Sequence, residues 1–409
     1  MTKVVITGMA ICCSTGENLL QFLQSLKQGR SGRCPIPLTR FDTSSLVYRN
    51  RSGATLPYEE IEKFARSDDT ILTEFAINVI QAALVDAGLD TQKMYTDPTD
   101  VGVCIGTTVG AGYSFMKFLK GKLDLPNGDI NTVLKPCTTG TIAGSIAKYF
   151  KIQGPVSVIS TACASGTNSV GRAFDLIRQN RVKRMIAGGV DLFSELTFSG
   201  FNSLQALSKD ACRPFDEDRD GLMLGDAAAF LIMENIEEAN ARKARIYGEV
   251  CGYAIANEAF HATGPDPQGL RAFASMKGAL DRASLKPAEV NYINAHGTGT
   301  RANDIMELAA IQLLLGPRMK EVYISSTKSM VGHTLGAAGS VELIATLLGM
   351  FYDFIPPTIN MRRPIKGFEE VNFVRDHALP GKILIALSNS FGFGGNVASI
   401  AVRHKDLLA

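Results

Sequence analysis

Tryptophan is absent from this 409-residue chain, and histidine is scarce, with five copies at 261, 296, 333, 377 and 404. None of the eight cysteines (12, 13, 34, 104, 137, 163, 212 and 251) stands in a Cys-x-x-Cys pair. That removes the usual zinc and dithiol redox motifs, and no metal is expected. Apolar runs of about 18 residues, the length of a membrane helix, are also missing. The longest candidate, "VELIATLLGMFYDFIPP", carries Glu342 and Asp353 and reads as a buried helix. A net charge of +2 offers no field for nucleic acid. There is no low-complexity tract and no charged tail. The opening "MTKVVITGMAICCSTG" is crowded with β-branched residues and interrupted by glycine, so it reads as a first strand and turn rather than a signal peptide. A cytoplasmic protein is the expectation.

What is present is ordinary globular material, 45% hydrophobic and 20% charged, enough for two sizeable cores. β-rich segments ("KVVITGMAI", "DVGVCIGTT", "PVSVIST", "RMIAGGV") alternate with helical ones such as "TILTEFAINVIQAALVDAGL". The alternation predicts an α/β fold with buried sheets. The pattern restarts near "ARIYGEVCGYAI" and runs on through "VNYINAHGTGT", "EVYISSTKSMVGH" and "KILIALSNSFGFGG". "VSVISTACASG" and "VYISSTKSMVG" share a strand, a Ser-Thr pair and a turn into a helix, 166 residues apart. This predicts a duplicated domain, with halves at 1–243 and 244–409. The turn-rich stretch 208–221 is expected near their junction.

The chemistry-bearing residues cluster in these turns. Cys163 ends a strand, and Val170, Ala173, Phe174 and Ile177 after it have helical spacing. A helix start favours a thiolate, and the turn offers N–H groups to an oxyanion. Such a cysteine is either a nucleophile or a small buried residue in a tight turn. His296 ("NAHGTGT") and His333 ("KSMVGHTLGAAG") occupy Gly-rich turns after predicted strands, where α/β active sites form.

Taken together, "STACASG", "NAHGTGT", "SSTKSMVGH", "RPFDEDRDG" and "SNSFGFGGN" resemble, in order and over nearly the whole chain, the motifs of the β-ketoacyl-(acyl-carrier-protein) synthases. These are condensing enzymes of the thiolase superfamily, and the elongating type II enzymes are most alike. The resemblance implies a thiolase-like duplicated fold in five layers, αβαβα, and a Cys-His-His site. Cys163 would carry the acyl chain, and His296 and His333 would serve decarboxylative condensation with malonyl-carrier protein. Lys328 would organise the field, although a surface lysine is the alternative. Phe393 would supply an oxyanion N–H and, with Phe391, gate the acyl pocket. Thr298 and Thr300 would contact pantetheine, and His261 would lie near the malonyl pocket. Asp304 and Glu307, three apart on one helix face, would pair with Lys328 unless they merely face solvent.

The resemblance further implies no cofactor beyond the phosphopantetheine of an acyl carrier protein. It also implies a homodimer, or a heterodimer with a homologous ketosynthase or chain-length-factor subunit, through the edge of a first-half strand. No nucleic-acid or membrane partner is expected. Lys63 and Arg66 are candidate carrier-docking residues. Gly299 in place of the common serine, "GGNV" in place of "GGTN", and a short 110–135 segment point away from housekeeping fatty-acid synthesis towards a specialised polyketide or polyene pathway. The alternatives are a thiolase acting on coenzyme A esters and a non-catalytic chain-length-factor-like partner.

Overall fold

The computed structural model describes residues 2–44, 47–57, 71–89, 94, 97–119 and 138–408. Lys63 and Arg66 lie outside these, as do Cys137 and most of the 110–135 segment. Ten strands form one sheet: β1 (Val4–Cys13), β2 (Val101–Gly106), β3 (Val156–Ile159), β4 (Arg184–Asp191), β5 (Ala227–Asn235), β6 (Gly248–Asn257), β7 (Tyr292–Asn294), β8 (Tyr323–Ser325), β9 (Ile385–Gly392) and β10 (Asn396–His404). The order is β8-β7-β9-β10-β6-β1-β5-β4-β2-β3.

Cut between β6 and β1, the two halves are the same object. Each runs third-second-fourth-fifth-first from its outer edge. In each, the third, second and fourth strands are parallel, and the fifth is antiparallel to both neighbours. The repeated Ser-Thr turn in the sequence follows the third strand of each half. The halves join where Val4–Ile6 pairs antiparallel with Gly248–Val250.

Helices complete the layers. α1 (Ile71–Asp86) and α2 (Thr139–Tyr149) cover the outside of the first half. α3 (Ser165–Arg178) and α6 (Ala338–Phe351) pack on each other and on strands of both halves. α4 (Leu270–Arg282) and α5 (Arg301–Leu315) cover the outside of the second half. The result is the expected αβαβα stack, with one core around α3 and α6 and one under each outer helix pair. Strands buried on both faces explain why β1, β4 and β5 read as nearly continuous apolar runs. α6 is buried along nearly its whole length, as its apolar sequence predicts. Among the described residues no helix is long and apolar enough to cross a membrane.

The two sheet edges differ. β8 is mostly buried, whereas β3 is exposed at Val156 and half-buried beyond it. An uncovered edge strand presents unpaired N–H and C=O groups.

Candidate active site

Cys163 sits on a strained elbow between β3 and α3. Ala162, just before it, has φ 50°, a left-handed conformation that costs a non-glycine residue energy. Three contacts hold it: Thr108 Oγ1 donates to the Ala162 carbonyl at 2.9 Å, Ser165 Oγ donates to the same oxygen at 2.6 Å, and Thr161 N donates to Ser165 Oγ at 2.9 Å. Gly392, at the end of β9, packs on this elbow so closely that a Cβ there would lie 3.0 Å from Cys163 N. The next residue, Phe393, follows in the same loop. Its backbone N–H and that of Cys163 both favour the Cys163 thiolate.

The thiol is buried, and burial pushes it up to about 11. Lys328 and the two backbone N–H groups pull the other way and do not win. The sequence expectation of a thiolate held by the helix start is therefore not met at rest.

The loop after β7 brings His296, and the loop after β8 brings His333. Ligand atoms of Cys163, His296 and His333 all lie within 4.8 Å of one another. The two imidazoles meet edge to face, 5.4 Å between centroids. Burial, then the Lys328 charge, holds both well below the ordinary histidine range, so both rings are neutral. Their tautomers follow from their neighbours. His333 Nδ1 accepts from Leu335 N at 3.1 Å, so its proton is on Nε2, which is buried and unpartnered. His296 Nδ1 lies 3.1 Å from Lys328 Nζ. An ammonium only donates, so here too the proton is on Nε2. Three soft donors this close resemble a metal site. A ligating histidine, however, turns a lone pair to the metal and donates its other N–H outward. Here both Nδ1 atoms face donors, which is the wrong arrangement for a metal.

Lys328 corrects one expectation. Its partner is Glu342 of α6, in an ion pair with both side chains 1% exposed, not Asp304 or Glu307. Burial pushes Glu342 up to about 7. In the sequence Glu342 stands only as a charge that breaks an apolar run. A carboxylate inside an otherwise apolar buried helix was the available signal.

Asp304 and Glu307 instead shape the His296 loop. Glu307 accepts from His296 N at 2.8 Å, Gly297 N at 2.7 Å and Asn389 Nδ2 at 3.2 Å. Asp304 accepts from Gly299 N and Phe215 N and lies 3.7 Å from Arg219 Nε. Both are fully buried, so neither faces solvent. The departure at Gly299 fits its backbone, since φ there is 76° and favours glycine.

The "RPFDEDRDG" stretch lies at the junction of the halves, as expected. Arg219 donates to the carbonyls of Thr300 and Arg301, and Gly221 N to Gly299 O. Just beyond it, His333 N donates to Met223 O at 2.6 Å and Gly225 N to His333 O.

A cleft of about 300 Å³ opens onto Cys163, His296 and His333. Thr298, Thr300, His261, Phe391 and Phe393 line it, so the structure gathers every expected contact residue in one place. Thr298 and Thr300 hydroxyls are 2.9 Å apart. Phe391 packs on His296 (5.7 Å between centroids), and Phe393 lies against Phe201 across the cleft (5.7 Å).

Comparison with known proteins gives the family. The family model "Beta-ketoacyl synthase, N-terminal domain" matches residues 1–239, and its C-terminal counterpart matches 247–362. The chain belongs to the beta-ketoacyl synthase family. The 3-oxoacyl-[acyl-carrier-protein] synthase 2 of Synechocystis sp. is 37% identical, with 98% of each chain covered. That of Coxiella burnetii is 35% identical at the same coverage. Among solved structures, "The ishigamide ketosynthase/chain length factor" aligns with TM-score 0.89 and 31% identity, over 98% of this beta-ketoacyl synthase and 99% of that chain. A type II PKS acyl-carrier protein in complex with its ketosynthase bound to the hexaketide aligns with TM-score 0.89 and 29% identity, over 98% and 99%.

Proposed function

We propose that this protein catalyses decarboxylative Claisen condensation of an enzyme-bound acyl thioester with malonyl-carrier protein. The observation that carries the reading is the shared aim of the two imidazoles. Both are neutral, and both have the tautomer that donates from Nε2, beside one buried thiol.

Cys163 attacks the thioester carbonyl of the incoming acyl-pantetheine. The oxyanion is held by the N–H groups of Cys163 and Phe393. The leaving pantetheine sulfur takes the thiol proton, so no separate base is needed. Malonyl-pantetheine then enters past Thr298 and Thr300. As CO₂ departs, the electron pair of the broken C–C bond moves towards the thioester oxygen, where His296 and His333 donate hydrogen bonds. The enolate carbon attacks the Cys163 thioester, and the thiolate leaves. Burial, with the charge of Lys328 held by Glu342, keeps both rings neutral. Phe391 and Phe393 gate the acyl pocket, Glu307 and Asp304 set the His296 loop, and His261 borders the malonyl side.

The partner in this reading is an acyl carrier protein, which brings the phosphopantetheine; the synthase itself needs no cofactor. The chain works in the cytoplasm as two thiolase-like halves, 1–243 and 244–409. The exposed edge of β3 suits pairing with a second copy or a homologous subunit. The thiolase alternative is disfavoured because a second histidine, not a second cysteine, completes the cluster. The non-catalytic alternative is disfavoured because the nucleophile is present.

The test is single-turnover. Wild-type protein is first acylated from acyl-carrier protein, then given malonyl-carrier protein, with CO₂ and β-keto product followed separately. Acylation of Cys163 followed by both products is expected. Acyl transfer from coenzyme A esters alone, with no CO₂ release, would overturn the proposal.

A further inference from the structure

We infer that Asp191 is the positioning residue that sets Cys163 and His333 relative to each other. The inference rests on the reading above, because it assigns one structural branch to each half-reaction. Asp191 is the last residue of β4 and is fully buried. It accepts from four donors, none of them charged: Thr107 Oγ1 at 2.6 Å and Val109 N at 3.2 Å on Oδ1, and Thr108 N at 2.7 Å and Gly336 N at 2.6 Å on Oδ2. A buried carboxylate without a cation is costly unless such donors converge on it.

The donors come from two loops that reach opposite parts of the site. Residues 107–109 follow β2 in the first half. Thr108, whose N–H is on Asp191, turns its hydroxyl to the carbonyl of Ala162 at 2.9 Å. That carbonyl belongs to the strained residue before Cys163. Gly336 lies in the turn after His333 in the second half. Its neighbour Leu335, at φ 54°, donates its N–H to His333 Nδ1 and so fixes the ring tautomer. The contact is tight. A Cβ on Gly336 would fall 2.5 Å from Thr108 N and 2.6 Å from Asp191 Oδ2.

One carboxylate therefore ties the nucleophile elbow to the loop that aims His333. Its action is through geometry. The charge acting on His333 is that of Lys328. Asn at 191 would set an amide N–H₂ against Val109 N on one side or against Thr108 N and Gly336 N on the other, and its uncharged oxygen would hold the remaining N–H donors less tightly, so it should loosen both branches.

The experiment measures acylation of Cys163 and malonyl decarboxylation separately, in wild type and in three variants. Thr108→Val keeps the Asp191 contact of its N–H but removes the tether to Ala162. It should slow acylation roughly 10-fold or more while changing decarboxylation little, as expected for a small displacement at a reacting group. Gly336→Ala, whose methyl would press on Thr108 N and Asp191 Oδ2 together, displaces both branches and should slow acylation and decarboxylation alike. Asp191→Asn should slow both, roughly 10–100-fold each, with KM for the carrier substrates changed less than about 3-fold. If Asp191→Asn does not fold, the two branch variants decide. Selective loss of acylation in Thr108→Val beside loss of both half-reactions in Gly336→Ala supports the inference, and equal loss of both half-reactions in Thr108→Val, or no loss in either variant, overturns it. A folded Asp191→Asn protein with wild-type half-reactions also overturns it. Wild-type protein that neither acylates nor decarboxylates would instead sink the functional reading on which the inference stands.

Discussion

Lys328 Nζ lies 3.1 Å from His296 Nδ1 while its charge is paired with Glu342 in the interior. One ammonium thus does two things. It supplies the hydrogen bond that places the His296 proton on Nε2, and its charge opposes protonation of both imidazoles. His333 obtains the same tautomer from a backbone N–H. The site is arranged to donate hydrogen bonds into the cleft rather than to receive a proton from the thiol.

The neutral histidines make a prediction about stability. In the unfolded chain a histidine takes up a proton near pH 6.5. In the fold, His333 is held well below that by burial and Lys328. Below about pH 6.5 the unfolded state therefore binds more protons, and stability falls as the pH falls. The buried carboxyls Glu307 and Glu342, each raised to about 7, work in the opposite sense between their unfolded range and 7. The histidine contribution is isolated by a difference. The stability of His333→Gln minus that of wild type should rise by about 1.4 kcal/mol per pH unit below 6.5. Urea unfolding at pH 7 and pH 5.5 measures it, and a difference independent of pH would contradict a neutral His333.

Cys163 should behave as a buried thiol until substrate arrives. With its thiol raised to about 11, alkylation by iodoacetamide should speed up about tenfold per pH unit between 7 and 9, tracking thiolate. Mass spectrometry of the modified peptide follows the rate. A plateau at neutral pH would mean that the helix start and the two N–H groups overcome burial after all.

Much of this was legible before any coordinates. The duplication showed in two strand–Ser–Thr–turn segments, because the same local grammar must precede a helix in both halves. Cys163, His296 and His333 stood out because rare residues at the ends of strands have few structural reasons to be there. What sequence could not supply was partner choice across long separations. Lys328 was assigned to Asp304 and Glu307 because they share a helix near His296. The structure gives it Glu342 from α6, while Glu307 binds the backbone of His296 and Gly297. Asp191 was invisible for the same reason. Its four donors come from residues 107–109 and 336, and no spacing rule links them. The thiol was expected to be acidic, because a helix start is readable in sequence and the depth of burial is not.

Gly392 tests the packing of the elbow. A methyl there would meet Cys163 N at 3.0 Å, the Ala162 Cβ at 3.1 Å and Thr161 O at 3.2 Å. Those are backbone and short side-chain atoms that have no easy way to yield. Gly392→Ala should displace the Cys163 N–H that faces the oxyanion and slow acylation roughly 10²-fold, the usual loss for one such donor. Decarboxylation, which relies on the histidines, should fall less. The two half-reactions are read as CO₂ release and acyl-enzyme mass, and equal losses in both would contradict the assignment.

The last prediction concerns the buried pair. Breaking a buried ion pair by removing one partner typically costs about 3–5 kcal/mol, because a lone charge is left in the interior. The two single variants should nevertheless differ. In Lys328→Met the remaining Glu342 escapes by taking up a proton. Burial already raises it to about 7 with the lysine present, so at neutral pH this escape costs little. In Glu342→Gln the remaining Lys328 ammonium stays in the interior without its counter-ion. Glu342→Gln should therefore be less stable than Lys328→Met at pH 7. Raising the pH to 9 should narrow the gap, since Glu342 gains a proton less easily there. Denaturant unfolding of both variants at the two pH values gives the comparison. If Lys328→Met proved the weaker protein at pH 7, Glu342 would have to be firmly ionised in the native site, and the proposed state of the pair would be wrong.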